Sequence, residues 1–589
     1  MAIDKTPVLQ SISKSRAGAE WLNLLAKTLR KPSGEEAFEQ LRIRTLDDIQ
    51  LDPIYPLTDE TGANKNSHFR AETSWKTLSR IDFPDPELAN KQLLADLEQG
   101  ADGAVIVLRD APSSFGFGVD TKAADVFDIV LANVFVDATT LRFEGLRAEH
   151  LPAWNTFCKK HNYAGKNLAV SLGLSNAQTD FDFSTESAST YFTADGADWH
   201  NRGASAAQEL AFVLSQLVEH LRVLMASGIN GTIAASMMNA KLSCDADQFE
   251  TLSKLRAIRQ LWAYMLEASG VDFTPLSLHA ETSWRMMSRR DPWTNMLRTT
   301  LASFSAGLGG ADSVTVLPHT QALGLPDVFA RRVARNSSLV LQEESHLSHV
   351  VDPAAGAGLF DSFSTALAEK AWSIFQKIEV AGGWSNANKA ETPANLTKAS
   401  QKKRLRKIHT RQTISLGNSH FSKLDEKPVD VLIDRPLERQ HISNKLPLMR
   451  DGQCFEQLAK RAKALHADST AKVALICIGD SNSFKPKESF ASDFFSAAGL
   501  ASVSQVISPR TDASELATKE TPIVCLCGSD EDYAEYAVEI LTQIKKSGPK
   551  YCLLAGSGNF KGANSNIFEG SNAYETLKDA ITFLEGVEQ

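Results

Sequence analysis

What the chain lacks narrows it first. Nowhere in its 589 residues does an apolar run approach the roughly 20 consecutive residues that a membrane-spanning helix needs. It has no excess of positive charge: 62 Lys and Arg stand against 71 Asp and Glu, for a net charge of −9. No long-range field draws a polyanion, so nucleic acid is set aside as a main partner. Its seven cysteines, Cys158, Cys244, Cys454, Cys477, Cys525, Cys527 and Cys552, are an odd number, several of them inside apolar runs. That usage fits reduced, buried thiols rather than a disulfide framework. The start has no basic stretch followed by an apolar run, and an acid stands at Asp4. A cytoplasmic location is therefore expected. No internal repeat is visible, which sets aside the solenoids and propellers.

What is present is an ordinary globular composition, 43% hydrophobic, 23% charged and 8% aromatic. At about 150 residues per domain the length calls for more than one folding unit. The first fifty residues hold one helix, Ala17 to Arg30, with Trp21, Leu22, Leu24, Leu25 and Leu29, read as an arm that packs on a partner. From about Phe69 to Trp384 short apolar runs follow longer amphipathic ones. Gly103 to Leu108 follows a helix over Pro86 to Glu98, Leu276 to His279 follows one over Gln248 to Ala268, and Ser313 to Leu317 follows one over Thr294 to Gly307. Strand after helix, repeated, predicts a parallel sheet closed as a (β/α)₈ TIM barrel. Beyond Phe455 the same alternation recurs on a smaller scale, through Lys472 to Gly479, a helix over Lys487 to Ala498, Ile523 to Cys527, Asp532 to Ser547 and Tyr551 to Ala555. That predicts a flavodoxin-like doubly wound domain. The expected class is thus α/β: an arm over 1–50, a barrel over 51–385, a linker over 386–455 and the small domain over 456–589. Lys398, Lys402, Lys403, Arg404, Arg406, Lys407 and Arg411 give the linker a basic face without clean periodicity. Lacking interleaved aromatics, it reads as a contact for a protein or an anionic cofactor rather than RNA.

Several constellations carry a chemical reading beside a plain one. Gly556 and Gly558, after the last apolar run, admit a nucleotide tail or serve as an ordinary turn. His346 and His349, three apart with Asp352 beyond, would present two imidazoles to one metal if helical, with no third ligand evident. His279 and Glu281 stand where a barrel strand ends, the place where such folds put chemistry, though a hydrogen-bonded core histidine explains His279 equally. His200 lies near the Gly203 turn, a weaker signal.

The run Leu278-His-Ala-Glu-Thr-Ser-Trp284, followed by Arg290-Asp-Pro-Trp-Thr-Asn-Met-Leu-Arg-Thr299 and Leu308-Gly-Gly310, resembles the cobalamin-dependent acyl-CoA mutases, specifically methylmalonyl-CoA mutase. The likeness continues through Ala330 to Asn336, Glu343 to His346, Val351 to Gly356 and Arg411 to Phe421, and covers most of the chain from about Trp75. The resemblance implies a barrel that wraps an acyl-CoA and a C-terminal domain carrying adenosylcobalamin, whose cobalt takes a histidine from an Asp-x-His-x-x-Gly motif.

This chain departs from that pattern where the family's chemistry sits. Against the cobalt motif it reads Asn482-Ser-Phe484-Lys-Pro-Lys487: Phe484 has no lone pair for cobalt, and Asn482 lacks the charge of an orienting carboxylate. Trp75 to Phe83 replaces the family's Trp-Thr-Ile-Arg-Gln-Tyr-Ala-Gly-Phe, so Leu78 and Arg80 stand for the substrate arginine and tyrosine. Glu281 replaces a substrate glutamine, and His200 is displaced from the family's histidine. Together these losses resemble the small, non-catalytic chain of the heterodimeric enzyme. They imply no catalytic, cofactor or metal residue here, with adenosylcobalamin and substrate on a large partner subunit that interconverts (R)-methylmalonyl-CoA and succinyl-CoA. The alternatives are a mutase with a displaced site at His200, His279 and Glu281, and a structural or regulatory protein that keeps the fold.

Overall fold

The computed structural model describes residues 9, 12, 14–56, 70, 72–166, 168–176, 187–435, 446–465, 472–507, 521–546, 550–558 and 561–587. The chain divides into two compact units, one of residues 1–284, 297–401 and 431–448, the other of 285–296, 402–430 and 449–589.

The first unit opens with two helices, α1 (Arg16–Thr28) and α2 (Gly34–Leu41), each started by a serine whose hydroxyl accepts from the first turn, Ser15 from Gly18 and Ser33 from Glu36. They close a small core of Leu9, Leu22 and Phe38, with Trp21 and Leu25 packed against it and Trp21 edge-on to Phe38 at 6.3 Å. Trp21 and Leu25 are half-buried against that core, and Leu24, 63% exposed, is the leucine turned outward. Asp47, beyond α2, reaches the start of a long helix, α3 (Ala206–Ala226), accepting from the Ala207 N–H at 3.0 Å and from Ser205. An acid at a helix N-terminus meets its unpaired N–H groups and the positive end of its dipole.

Eight parallel strands close into a barrel in sequence order: β1 (Lys76–Ile81), β2 (Gly103–Val107), β3 (Thr140–Glu144), β4 (Val170–Leu174), β5 (Thr190–Asp195), β6 (Met238–Cys244), β7 (Ser277–Thr282) and β8 (Ser313–Thr315), with β8 paired to both β7 and β1. α3, α4 (Gln248–Ala268), α5 (Val328–Glu343) and α6 (Gly358–Val380) are among the helices of this unit. The apolar layer between strands and helices, from Ala104 and Ile106 to Leu242 and Ala280, is buried, as a (β/α)₈ fold requires.

The segment expected to be an irregular linker is helical over much of its length: α7 (Thr392–His409) carries Lys398, Lys402, Lys403, Arg404, Arg406 and Lys407. Long straight side chains are good helix formers, so a run without an apolar stripe still helixes. Arg411, just beyond, pairs with Asp493 and lies 5.7 Å from the Phe494 ring centroid.

The second unit contains a parallel sheet of β9 (Lys472–Ile478), β10 (Ala501–Ile507), β11 (Ile523–Cys527), β12 (Tyr551–Ala555) and β13 (Ser565–Ile567) in the spatial order β10-β9-β11-β12-β13. This is the doubly wound flavodoxin order, with its switch point between β9 and β11. No disulfide joins the seven cysteines, and all but Cys454 are buried.

Candidate functional site

Alternate residues of each barrel strand point inward. In this chain much of the inward set is charged or ionisable: Arg80 on β1, Arg142 and Glu144 on β3, Lys241 on β6, and His279 and Glu281 on β7, beside the apolar Leu78, Val105 and Val107. Lys241 Nζ lies 2.6 Å from Glu144 Oε1 and 3.2 Å from Glu281 Oε1. Arg80 Nη1 reaches Glu281 Oε2 at 3.4 Å, while its Nε donates to Asp82 at 2.8 Å and its Nη2 to the Ser113 carbonyl at 2.5 Å. Arg331 on α5 donates to the other oxygen of Asp82 at 2.7 Å. The result is a continuous ladder, Arg331–Asp82–Arg80–Glu281–Lys241–Glu144, closed at its end by the Ser113 hydroxyl on Glu144. All of its charged side chains are buried.

Beside the ladder, Arg142 donates to Asn239 at 2.8 Å and to Thr193 at 3.3 Å, and the Asn239 amide donates to Ser171 and Thr190, both at 2.9 Å. Phe115 stacks on Trp284 with centroids 5.0 Å apart, and the Arg80 guanidinium lies 5.1 Å from the Phe115 centroid. Burial raises the acidity cost of Asp82, but Arg331 and Arg80 outweigh it and hold its carboxyl down to about 2. Burial likewise opposes ionisation of Glu144, yet Lys241 and Arg142 keep its carboxyl well below the usual range. Glu281 is pushed the other way by burial and by the nearby Glu144 charge, which Lys241 and Arg80 only partly offset.

His279 lies inside β7 rather than at its end. Its Nδ1 is 2.8 Å from the Ser313 hydroxyl, and burial, with Arg142 and Lys241 nearby, holds it neutral well below the ordinary histidine value. His200 stands 2.8 Å from Ser283 Oγ and 3.2 Å from Glu209 Oε2, a serine, imidazole and carboxylate in line. That line is sealed: Ser283 and Glu209 are fully buried. Glu209 also accepts from Lys254 at 2.7 Å and from the Ser243 N–H at 2.9 Å. The arrangement ties barrel elements together.

His346 and His349 are not on a helix. α5 ends at Glu343, His346 has φ 56°, and the two rings stack at 4.6 Å. Asp352 is taken up by Arg256 at 2.6 and 2.7 Å. Among the described residues no group of three or more His, Cys, Asp or Glu is placed to hold a metal ion.

In the second unit a helix, α8 (Ser481–Ser496), starts six residues before the expected Lys487. Asp480 caps it through the Asn482 N–H at 3.1 Å. The stretch Asn482 to Lys487 is therefore the opening of a helix. Phe484, 6% exposed, packs in the core formed by Cys477, Phe494 and Cys527. Lys487 pairs with Asp530 at 2.9 Å and lies 4.6 Å from the Tyr533 ring centroid. The Tyr533 hydroxyl, fully buried, accepts from the Gly528 N–H at 2.8 Å and lies 2.8 Å from the Ala555 carbonyl oxygen. Gly556 adopts φ 157°, close to extended backbone. Asn559, the last residue of that glycine stretch, lies outside the described residues.

A family model described as methylmalonyl-CoA mutase matches residues 163–479. The chain belongs to the methylmalonyl-CoA mutase family. It is similar to the methylmalonyl-CoA mutase small subunit of Streptomyces virginiae, 32% identical over 95% of this chain and 96% of that one. It is also similar to the small subunit of Propionibacterium freudenreichii subsp. shermanii, 30% identical over 93% and 91%. The methylmalonyl-CoA mutase of Rhizobium meliloti is 32% identical over 40% of this chain and 34% of its own.

Cobalamin, the cofactor implied by membership in this mutase family, needs a donor atom for cobalt. The residues present do not fit it: where the resemblance puts the ligand, a phenyl ring is buried in the core, the Asn482 N–H is held by Asp480, and Lys487 is in an ion pair. Sequence reasoning singled out Arg80 and Glu281 as departures from the mutase pattern but missed Asp82, Arg142, Glu144, Lys241 and Arg331, with which they form one network. The available signal was charge at alternate positions of short strands, as in Arg142-Phe-Glu144 and Asn239-Ala-Lys241.

Proposed function

We propose that this chain is the small, supporting subunit of a heterodimeric methylmalonyl-CoA mutase. On this reading the isomerisation between (R)-methylmalonyl-CoA and succinyl-CoA takes place on a larger homologous subunit that carries adenosylcobalamin, and this chain contributes fold and interface rather than chemistry. The observation that carries the reading is the buried ladder from Arg331 to Glu144 across the barrel interior. A mutase barrel must admit an acyl-CoA, and here paired side chains take up that space. The buried Phe484 supports the same conclusion from the second unit. A displaced site at His200, His279 and Glu281 is not favoured, because each is engaged in the buried networks described above.

The test is an absorbance titration with adenosylcobalamin, first on the purified chain and then with the larger subunit added. The expected result is no spectral shift for the chain alone, and both a shift and turnover in the mixture. Saturable binding by the lone chain would overturn the reading.

A further inference from the structure

On the outer face of the barrel, α4 and α6 enclose a groove of about 870 Å³. Its lining combines Tyr264, Phe273 and Trp372 with three acids, Glu267, Asp272 and Glu369, and includes no basic residue. Tyr264 is 56% exposed and Phe273 41%. Tyr264 and Trp372 meet edge to face, centroids 4.9 Å apart. Glu267, Asp272 and Glu369 enter no ion pair among the described residues. Elsewhere in this unit acids on the same helices are paired, Asp361 of α6 with Arg256 and Glu379 of α6 with Arg222. Aromatic seams continue along the two helices, with Phe249 and Phe360 6.0 Å apart and Trp372 and Phe375 5.0 Å apart.

We infer that the Tyr264–Trp372 groove docks a basic segment of the partner polypeptide, an Arg- or Lys-bearing stretch whose cations face Glu267, Asp272 and Glu369 while its aliphatic stems lie on the aromatic rings. This rests on the reading that the chain works with a larger mutase subunit, and it names the surface used. The chemistry selects the occupant. A cation gains from an aromatic face and from unpaired carboxylates together, and arginine stacks and pairs at once. An acidic segment is repelled, and a purely apolar one strands three carboxylates. An exposed Tyr beside a half-buried Trp in a concave site is also a pairing of residue types that carry much of an interface's energy.

The test uses the full chain and measures its affinity for the larger subunit by sedimentation at several salt concentrations. The paired reversal Glu267→Lys with Glu369→Lys and the single change Tyr264→Ala are each expected to weaken association by about tenfold or more. The reversal should also flatten the salt dependence seen with the native chain. The control reversal Glu531→Lys with Glu535→Lys, on exposed positions of the second unit, should leave affinity unchanged, and thermal melts should show all variants folded. Unchanged affinity for both groove variants overturns the inference while leaving the proposed function standing. Loss of self-association by this chain, with heterodimer affinity intact, overturns it in favour of a second copy as occupant. No association between the native chain and the larger subunit removes the proposed function itself.

Discussion

The barrel at the C-terminal ends of its strands and the crest of the C-terminal sheet are the two places where folds of these kinds hold ligands. This chain fills them by opposite chemistry. In the barrel the filling is charge: three cations and three carboxylates alternate along the Arg331-to-Glu144 ladder. At the sheet the filling is largely apolar, Phe484 in the core and the Tyr533 ring beneath Lys487. The difference has an energetic consequence. A buried charge pair returns little over a well-packed apolar pair, yet it is punished severely when one partner goes. An apolar plug costs, on removal, the transfer energy of its own atoms and the cavity it leaves. The ladder therefore fixes one arrangement of the strands more rigidly than it stabilises them, whereas the phenyl ring adds stability directly.

Lys241→Met breaks the ladder at its centre and carries the largest expected effect. It leaves Glu144 and Glu281 buried without the ammonium that faces both, at a cost of about 3–5 kcal/mol. Urea unfolding of the chain, monitored in the barrel tryptophans, should show this. Adding Glu281→Gln should recover part of the loss, because one of the stranded charges is then gone. If Lys241→Met costs less than about 1 kcal/mol, the ladder is not a network. Phe484→Ala comes next, at about 3 kcal/mol for a mostly buried ring. It should lower the melting temperature while leaving turnover of the reconstituted heterodimer within a few-fold. A thousandfold fall in an assembled dimer of unchanged affinity would make Phe484 part of a catalytic site.

The same contrast explains how much was legible in the sequence. The strands of the C-terminal sheet stand out as apolar runs, Val473 to Ile478 and Ile523 to Cys527, because both faces are covered. In the barrel only the runs at Gly103, Leu276 and Ser313 stood out. β3 and β6 were hidden because their inward residues are Arg142, Glu144, Asn239 and Lys241, so burial there is not written in hydrophobicity. β1 was visible only as a departure from the mutase pattern, through Leu78 and Arg80. The site was legible as a list of losses, not as a replacement: one sequence shows that Arg80 and Glu281 are unusual but not that they are 3.4 Å apart across 201 residues of chain. The helix start at Ser481 was missed because Pro486 reads as a breaker, yet the helix runs through it, forgoing the bond that its N–H would have made to the Asn482 carbonyl.

A third charged place sharpens the comparison, because its charges share one sign. Glu250, near the start of α4, has its carboxyl pushed up to about 8 by burial and then by Asp247, Asp245 and Asp47, with Lys254 the opposing cation. In the ladder each acid meets a cation; around Glu250 the strongest charged neighbours are acids, and the opposing Lys254 is already engaged by Glu209. A carboxyl raised in the fold keeps a proton that the unfolded chain has released. The fold therefore loses stability as pH climbs from about 4.5, the ordinary value for this group, and the loss levels off above about 8. Glu250→Gln removes the titration and keeps the shape. It should match the native chain at pH 4 and exceed it by about 1–2 kcal/mol at pH 9, partial exposure screening the rest. Urea unfolding at pH 4, 7 and 9 reads the difference directly. Equal stability at pH 9 would mean that the cluster is relieved by something other than the Glu250 proton, and the contrast between alternating and like charge would rest on the ladder alone.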